Sequence, residues 1–204
     1  LNHDNRKNIE YTIVTNLVAL TDDKLQALID NHVSICTSLD GSMDVHNHNR
    51  KLRSGKGTYQ LVKDAISRVN ARGIHVGAIE TTTRFSLDYP VEIVDEYFHS
   101  GLGGIFLRPL TPLGFAKAFW DEMGYSPEEF MAFYKKAFDR ILEINKAGFN
   151  FPELHATYFL RKILHGESDN YMELRSPCGA GIGQMSYYYN GNVYTCDEGR
   201  MMGE

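Results

Sequence analysis

Short β-branched and aromatic runs alternate with helix signals through the first half of the chain, and this order restricts the fold more than any other feature. The run Glu10 to Thr15 reads as a strand, and Thr21-Asp22-Asp23 follows it as a helix start with acids at the positive end of the helix dipole. The order then repeats, with a strand near Ser34 to Ser38, a helix near Tyr59 to Arg72, a strand near His75 to Ile79, a helix near Val91 to His99 and a strand near Gly104 to Leu107. Long connections are needed only at Gly41 to Gly57 and Thr111 to Gly124. Strands that alternate with helices argue for right-handed βαβ units and a parallel sheet, either open or part of a barrel. In both architectures the loops after the carboxyl ends of the strands build the site. Those positions are Thr15-Asn16, Ser38 to Gly41, Glu80-Thr81-Thr82 and Arg108-Pro109.

Past Thr111 the pattern changes. Ser126-Pro127-Glu128-Glu129 is a capping box with proline at the first helical position. Phe130, Phe133, Tyr134, Ala137, Ile141 and Ile144 then recur at helical spacing until Gly148 ends the helix. A shorter helix is expected over Pro152 to Leu164, and a domain boundary between Gly166 and Arg175. Beyond it Asn190-Gly191, flanked by Met185 to Tyr189 and Asn192 to Thr195, is a hairpin signal in which both turn positions tolerate positive φ. The expected division is 1–125 for the strand-helix repeats, 126–170 for linking helices and 171–204 for a cysteine-bearing appendage.

The formal net charge of -5, with no local Lys/Arg cluster, offers no field for a phosphate backbone, which excludes nucleic acid as a first expectation. No apolar run approaches the roughly 20 residues that cross a bilayer, and Leu1-Asn2-His3-Asp4 lacks the basic and apolar regions of a signal peptide. The expectation is a cytoplasmic protein without a membrane partner. The chain starts on Leu1 and runs to Glu204 after a cysteine-bearing turn, so an internal piece of a longer protein is expected.

Three cysteines do not make the framework of a secreted disulfide scaffold; in a reducing compartment closely spaced thiols favour metal or redox chemistry. Cys178 and Cys196 stand in a Cys-x12-Gly-x4-Cys arrangement that a hairpin folds back on itself, so that two thiolates can approach one soft metal centre, or else are two unrelated buried thiols. A tetrahedral zinc or a four-iron cluster needs about four ligands, and no further Cys-x2-Cys pair is present. Cys36, inside an apolar strand, reads as a small core residue.

Other positions carry an active and a bland reading. Ser38-Leu39-Asp40-Gly41 either holds a polar cofactor with its hydroxyl and carboxylate or simply makes a turn. His46 and Arg50 share a face if their loop is helical, and Arg50 is placed to pair with a carboxylate. His46 and His48 otherwise read as surface histidines, since nothing nearby completes a metal site. Gly55-Lys56-Gly57-Thr58 fails the phosphate-loop pattern and reads instead as a turn into a helix capped by Thr58. Glu80 and Arg108 follow buried strands on the edge where such folds place their sites and serve acid-base or carboxylate-binding roles, or pair with each other.

Taken together, the chain resembles the radical S-adenosylmethionine (SAM) enzymes with a SPASM extension, in particular peptide maturases and, in Pro177 to Gly199, those of His-Xaa-Ser peptide systems. The resemblance rests on Thr15-Asn16, on Ser38-Leu39-Asp40-Gly41, and on His46 and Arg50 ahead of Gly55-Lys56-Gly57-Thr58-Tyr59. It also rests on Cys178-Gly179-Ala180-Gly181 leading through Gly191 to Cys196-Asp197-Glu198-Gly199. It implies an α/β fold, a partial TIM-like (β/α)6 barrel followed by the start of a SPASM extension with a β-hairpin. It implies a 4Fe-4S cluster that cleaves SAM, a 5′-deoxyadenosyl radical that abstracts hydrogen from a peptide or protein, and a reductant such as flavodoxin or ferredoxin. By the same resemblance Thr15 and Asn16 border SAM, Ser38 hydrogen-bonds it and Arg50 neutralises its carboxylate. Leu107 and Arg108 lie near its adenosine, and Cys178 and Cys196 ligate an auxiliary cluster. The cluster-binding cysteine loop is absent, Leu17 replaces the glycine usual after Thr-Asn, and the chain alone is expected to be inactive. A non-radical βα-barrel lyase or hydrolase using Glu80 and Arg108 stays open beside it, as does a zinc-binding interaction module.

Overall fold

The structure is a computed structural model that describes residues 9–167, Arg175 and 177–202. Strands β1 (Tyr11–Val14), β2 (Val33–Ser38), β3 (Val76–Thr82) and β4 (Leu107–Pro109) form one parallel sheet in chain order. Parallel neighbours need crossover connections, and the helices supply them. These are α1 (Asp22–Asp30), then α2 (Met43–Asn49) and α3 (Tyr59–Asn70), then a 3-10 turn at Phe85–Asp88 and α4 (Pro90–His99).

The register gives the sheet two unlike faces. Ile35, Val76 and Leu107 join Leu25 of α1, Val62 and Ile66 of α3, and Ile93 and Tyr97 of α4 in the core. On the other face Cys36 lies beside Gly77, Ser38 beside Ile79 and Thr81 beside Arg108, and none of these is buried. Cys36 is therefore not the core residue expected from its apolar strand. Period-two geometry turns it away from the helices, half-buried, where burial still pushes its thiol up.

The strand expected over Gly104 to Leu107 divides. Ile105 makes a parallel bridge with Glu153, its N–H donating to the Pro152 carbonyl at 3.0 Å, and the pairing with β3 begins at Leu107. Pro152 is thus extended rather than helical, and α8 (Leu154–His165) starts after Glu153, whose carboxylate accepts the Ala156 N–H at 2.7 Å. The long stretch after β4 contains two short helices, α5 (Phe115–Ala118) and α6 (Trp120–Met123). Helix α7 (Pro127–Lys146) carries both halves of its capping box and buries Phe133, Ala137, Ile141 and Ile144. Its apolar stripe is what the periodic spacing demands, and Arg140 ties it to Asp95 of α4 at 2.7 Å.

The appendage holds β5 (Ser186–Tyr187) antiparallel to β6 (Val193–Tyr194), then α9 (Asp197–Met202). The turn is not the expected two-residue form. The Gly191 N–H donates to the Tyr188 carbonyl at 3.0 Å and the Tyr188 N–H to the Asn192 carbonyl at 2.9 Å, a three-residue loop closed by Gly191 at φ 87°. Asn190 keeps its side chain for the Asn192 N–H at 3.0 Å, so only the glycine adopts positive φ. The domain boundary expected between Gly166 and Arg175 falls largely on 168–174, outside the described residues, as do Leu1 to Asp4 and Glu204. No helix among the described residues is long and apolar enough to cross a membrane.

Candidate cofactor site

The carboxyl end of β2 is organised by an ion pair. Asp40 takes both arms of the Arg50 guanidinium, Nε at 2.7 Å and Nη2 at 3.0 Å, and its Oδ1 also accepts the Thr81 N–H from β3 at 3.3 Å. The side chain of Asp40 is 2% exposed and that of Arg50 31%, so the pair sits at the rim with its carboxylate inside. A bidentate fork of this kind is short, directional and charge-assisted. Among the described residues, Nη1 of Arg50 has no hydrogen-bond partner. Gly41 makes the turn possible: its φ is 126°, and a Cβ there would lie 2.6 Å from Cγ1 of Ile93.

His46, read from the sequence as a surface residue, is fully buried and anchors this loop. The Asp40 N–H donates to its Nδ1 at 3.2 Å, so the ring proton resides on Nε2, 3.0 Å from the Thr58 hydroxyl. That hydroxyl in turn donates to the Arg50 carbonyl at 3.2 Å. Burial pushes the imidazole below its ordinary value, outweighing the pull of Asp40, and keeps it neutral. Thr58 consequently does not cap α3 through its side chain. Asn47 does so instead, accepting the Tyr59 N–H at 2.9 Å, and Gly57 leaves it room, since a Cβ there would meet the Asn47 side chain at 2.1 Å.

At the end of β1, Thr15 continues the pairing by donating its N–H to Cys36 at 3.0 Å. Its hydroxyl accepts the Leu17 N–H at 3.3 Å, and Asn16 accepts the Val18 N–H at 3.2 Å. Leu17 lies at φ 57° in the left-handed region, which a glycine would adopt without strain.

Two further ties close the carboxyl edge. The Tyr125 hydroxyl donates to the Thr82 carbonyl at 3.0 Å and accepts the Leu110 N–H at 2.7 Å, strapping β3 to the segment after β4. Burial raises that phenol well above its usual range. Asn49, at the end of α2, accepts from Thr83 at 3.0 Å and reaches Ser86, while His48 stacks on Phe85 with centroids 3.8 Å apart. Nothing in sequence spacing marks Tyr125 or Asn49, because both act across tertiary contacts.

Glu80 and Arg108 do not share a pocket. Glu80 pairs in register with Leu107, and both point into the helix-covered core, whereas Arg108 lies on the open face beside Thr81 with its guanidinium 5.6 Å from the Phe106 ring centroid. Ser38 lies on the same face as Arg108, at the same edge as Thr15 and Asn16; Leu107 reaches that side only through its backbone. In the appendage Cys178 is exposed and Cys196 half-buried, and both are free thiols. The Gly181 N–H donates to the Thr195 carbonyl at 2.9 Å, which draws the two cysteine-bearing segments together. The Cys196 sulfur accepts the Gly199 N–H at 3.2 Å. No group of three or more His, Cys, Asp or Glu side chains able to hold a metal occurs among the described residues.

No family model matches the chain. It is homologous to a serine-type anaerobic sulfatase-maturating enzyme of Bacteroides thetaiotaomicron, 24% identical over 206 residues that cover 94% of this chain and 48% of the relative. The chain thus spans about half the length of this curated relative. Its fold is that of anSMEcpe with bound AdoMet, at TM-score 0.79 and 22% identity over 96% of this chain and 53% of the other. The Streptococcus suis protein SuiB bound to precursor peptide SuiA matches at TM-score 0.66 and 16% identity, over 96% and 44%. The resemblance to radical SAM maturases read from the residues therefore extends to an α/β fold with a parallel sheet.

Proposed function

We propose that the full-length protein is a radical SAM enzyme that modifies a peptide or protein. In this reading residues 1–125 supply the later strands and helices of a partial (β/α)6 barrel, 126–170 link, and 171–204 begin a SPASM extension. The observation that carries it is the Asp40–Arg50 fork at the carboxyl edge, with one guanidinium nitrogen left for an incoming carboxylate. Two further features support the barrel. Strands β2 and β3 each have one largely buried and one partly exposed face, although parallel strands are usually covered on both faces, and the edge strand β1 leaves Tyr11 and Val14 exposed.

The residues fit SAM. Arg50 offers Nη1 to its carboxylate while Asp40 holds the fork in place, and Ser38 presents a hydroxyl from the open face of β2. Thr15 and Asn16 present the β1 end, where their side chains fix the backbone turn around Leu17. The Leu107 backbone and Arg108 border the adenosine. SAM bound at a reduced 4Fe-4S cluster supplies a 5′-deoxyadenosyl radical, the agent of hydrogen abstraction. The chain's own task is to orient the methionyl group and keep water from the edge, which the buried His46–Thr58–Arg50 chain and the Tyr125 strap make rigid.

The fit to iron-sulfur is partial. Cys178 and Cys196 are a soft donor pair for an auxiliary cluster, but two thiols do not close a four-iron site. Substrate peptide and a flavodoxin- or ferredoxin-type reductant complete the proposal; the anSMEcpe structures include bound Kp18Cys and Cp18Cys peptides, and SuiB one with its precursor peptide. Full-length protein purified without oxygen should contain iron and sulfide and release 5′-deoxyadenosine from SAM on reduction. A preparation free of iron and sulfide would sink the proposal.

A further inference from the structure

Glu80 has no role in the site described above, yet it is the least solvated acid near it. Its side chain is 0% exposed on β3, facing the helices. One oxygen, Oε2, accepts the Thr82 hydroxyl at 2.8 Å, and among the described residues the other, Oε1, has no hydrogen-bond partner. A buried carboxylate with an unmatched oxygen is expensive unless a cation answers it. Arg50 is close enough to act on it, and both arms that the guanidinium extends toward the carboxyl groups go to Asp40. Tyr97 of α4, packed in the same core, spends its hydroxyl on the Leu39 carbonyl at 2.6 Å, and Cys36 lies on the far face of the sheet.

We infer that Glu80 is a neutral carboxylic acid behind the Asp40–Arg50 pair, and that its neutrality positions Arg50 for an anionic ligand by leaving one carboxylate, not two, to compete for the guanidinium. Burial and the repulsion of Asp40 both push its carboxyl well above the usual range, against smaller pulls from the Thr82 hydroxyl, Arg50 and the Arg108 N–H. Glu80 is a positioning residue here: it acts through Asp40 and Arg50 and touches no ligand. Ionised, it would place a second negative charge in the low-dielectric layer beneath the fork, and the outward-facing nitrogen of Arg50 would attract a ligand carboxylate less.

The inference rests on the reading of Arg50 as the carboxylate-binding group, so its test has one arm that needs no ligand. Infrared difference spectra of the full-length protein carrying 13C-labelled glutamate, wild type minus Glu80→Gln, should show a protonated carboxyl band at neutral pH. Absence of the band overturns the inference whatever the protein binds. Glu80→Met replaces Glu80→Gln if the amide variant does not fold. The second arm is equilibrium binding of SAM as the pH is raised from neutrality until that protonated band is lost. Wild-type affinity should fall about tenfold further than that of Glu80→Gln as the acid ionises. Parallel profiles in the two proteins overturn the coupling to Arg50. A band present in a wild type that binds no SAM would instead refute the proposed function while leaving Glu80 neutral.

Discussion

Leu17 offers a test in which the usual order of alanine and glycine is reversed. In ordinary backbone conformations glycine is worse than alanine by about 0.5–1 kcal/mol, because it loses more freedom on folding. Leu17 sits at φ 57°, where a Cβ crowds the following carbonyl at a cost of about 1–2 kcal/mol. Its side chain is 2% exposed and belongs to the main core. Leu17→Ala removes that packing, costing about 2–5 kcal/mol, and keeps the strain because it keeps the Cβ. Leu17→Gly loses the same packing but relieves the strain. Subtracting the entropic cost of glycine from the relief leaves glycine about 0–1.5 kcal/mol more stable than alanine, with leucine more stable than both. Urea unfolding of the three full-length proteins, compared at equal m-value, measures these differences. If alanine is more stable than glycine, the left-handed turn is not what this position requires, and the account of why leucine can stand there fails.

Arg50→Lys keeps the charge but breaks the fork to Asp40, and should cost about 1–3 kcal/mol in chemical denaturation and weaken SAM binding about tenfold by equilibrium dialysis. Tyr125→Phe leaves the Thr82 carbonyl and Leu110 N–H without their shared partner and should destabilise by about 1–3 kcal/mol, read from urea midpoints. His46 is held below its ordinary value of 6.5, so the unfolded chain binds more protons between the two values. The contribution of His46 is therefore complete above about pH 6.5 and shrinks as pH falls toward the folded value. Glu80, raised in the folded state, contributes the opposite slope above its ordinary value of 4.5, so the measurement is the difference in pH slope between wild type and His46→Gln. Equal slopes would show that His46 does not titrate with unfolding. Cys178→Ala and Cys196→Ala should each lower the iron content of anaerobically purified protein, and unchanged iron would remove both from the auxiliary cluster.

The local signals that proved most legible were those whose physics is local. The capping box at Ser126 and the apolar stripe of α7 depend on residues three and four apart, and the structure carries both as read. The alternation of strand and helix likewise follows from period and propensity, and it leads to the parallel sheet. Strand limits were less legible: the residues near Gly104 to Leu107 divide between two partners, and which strand a carbonyl answers is not written in the strand itself.

The same division runs through the site. The sequence alone placed Thr15, Ser38 and Arg108 at strand ends, because connection order decides which end of a parallel strand leads to a helix. Only the tertiary structure determined that Arg50 meets Asp40, that His46 is a buried neutral anchor rather than a surface residue, and that Glu80 and Arg108 face opposite ways. Those facts depend on burial and on register between segments far apart in the chain. A residue's charge state follows from the solvent it loses and the partners it gains, and neither is present until the sheet and helices close around it.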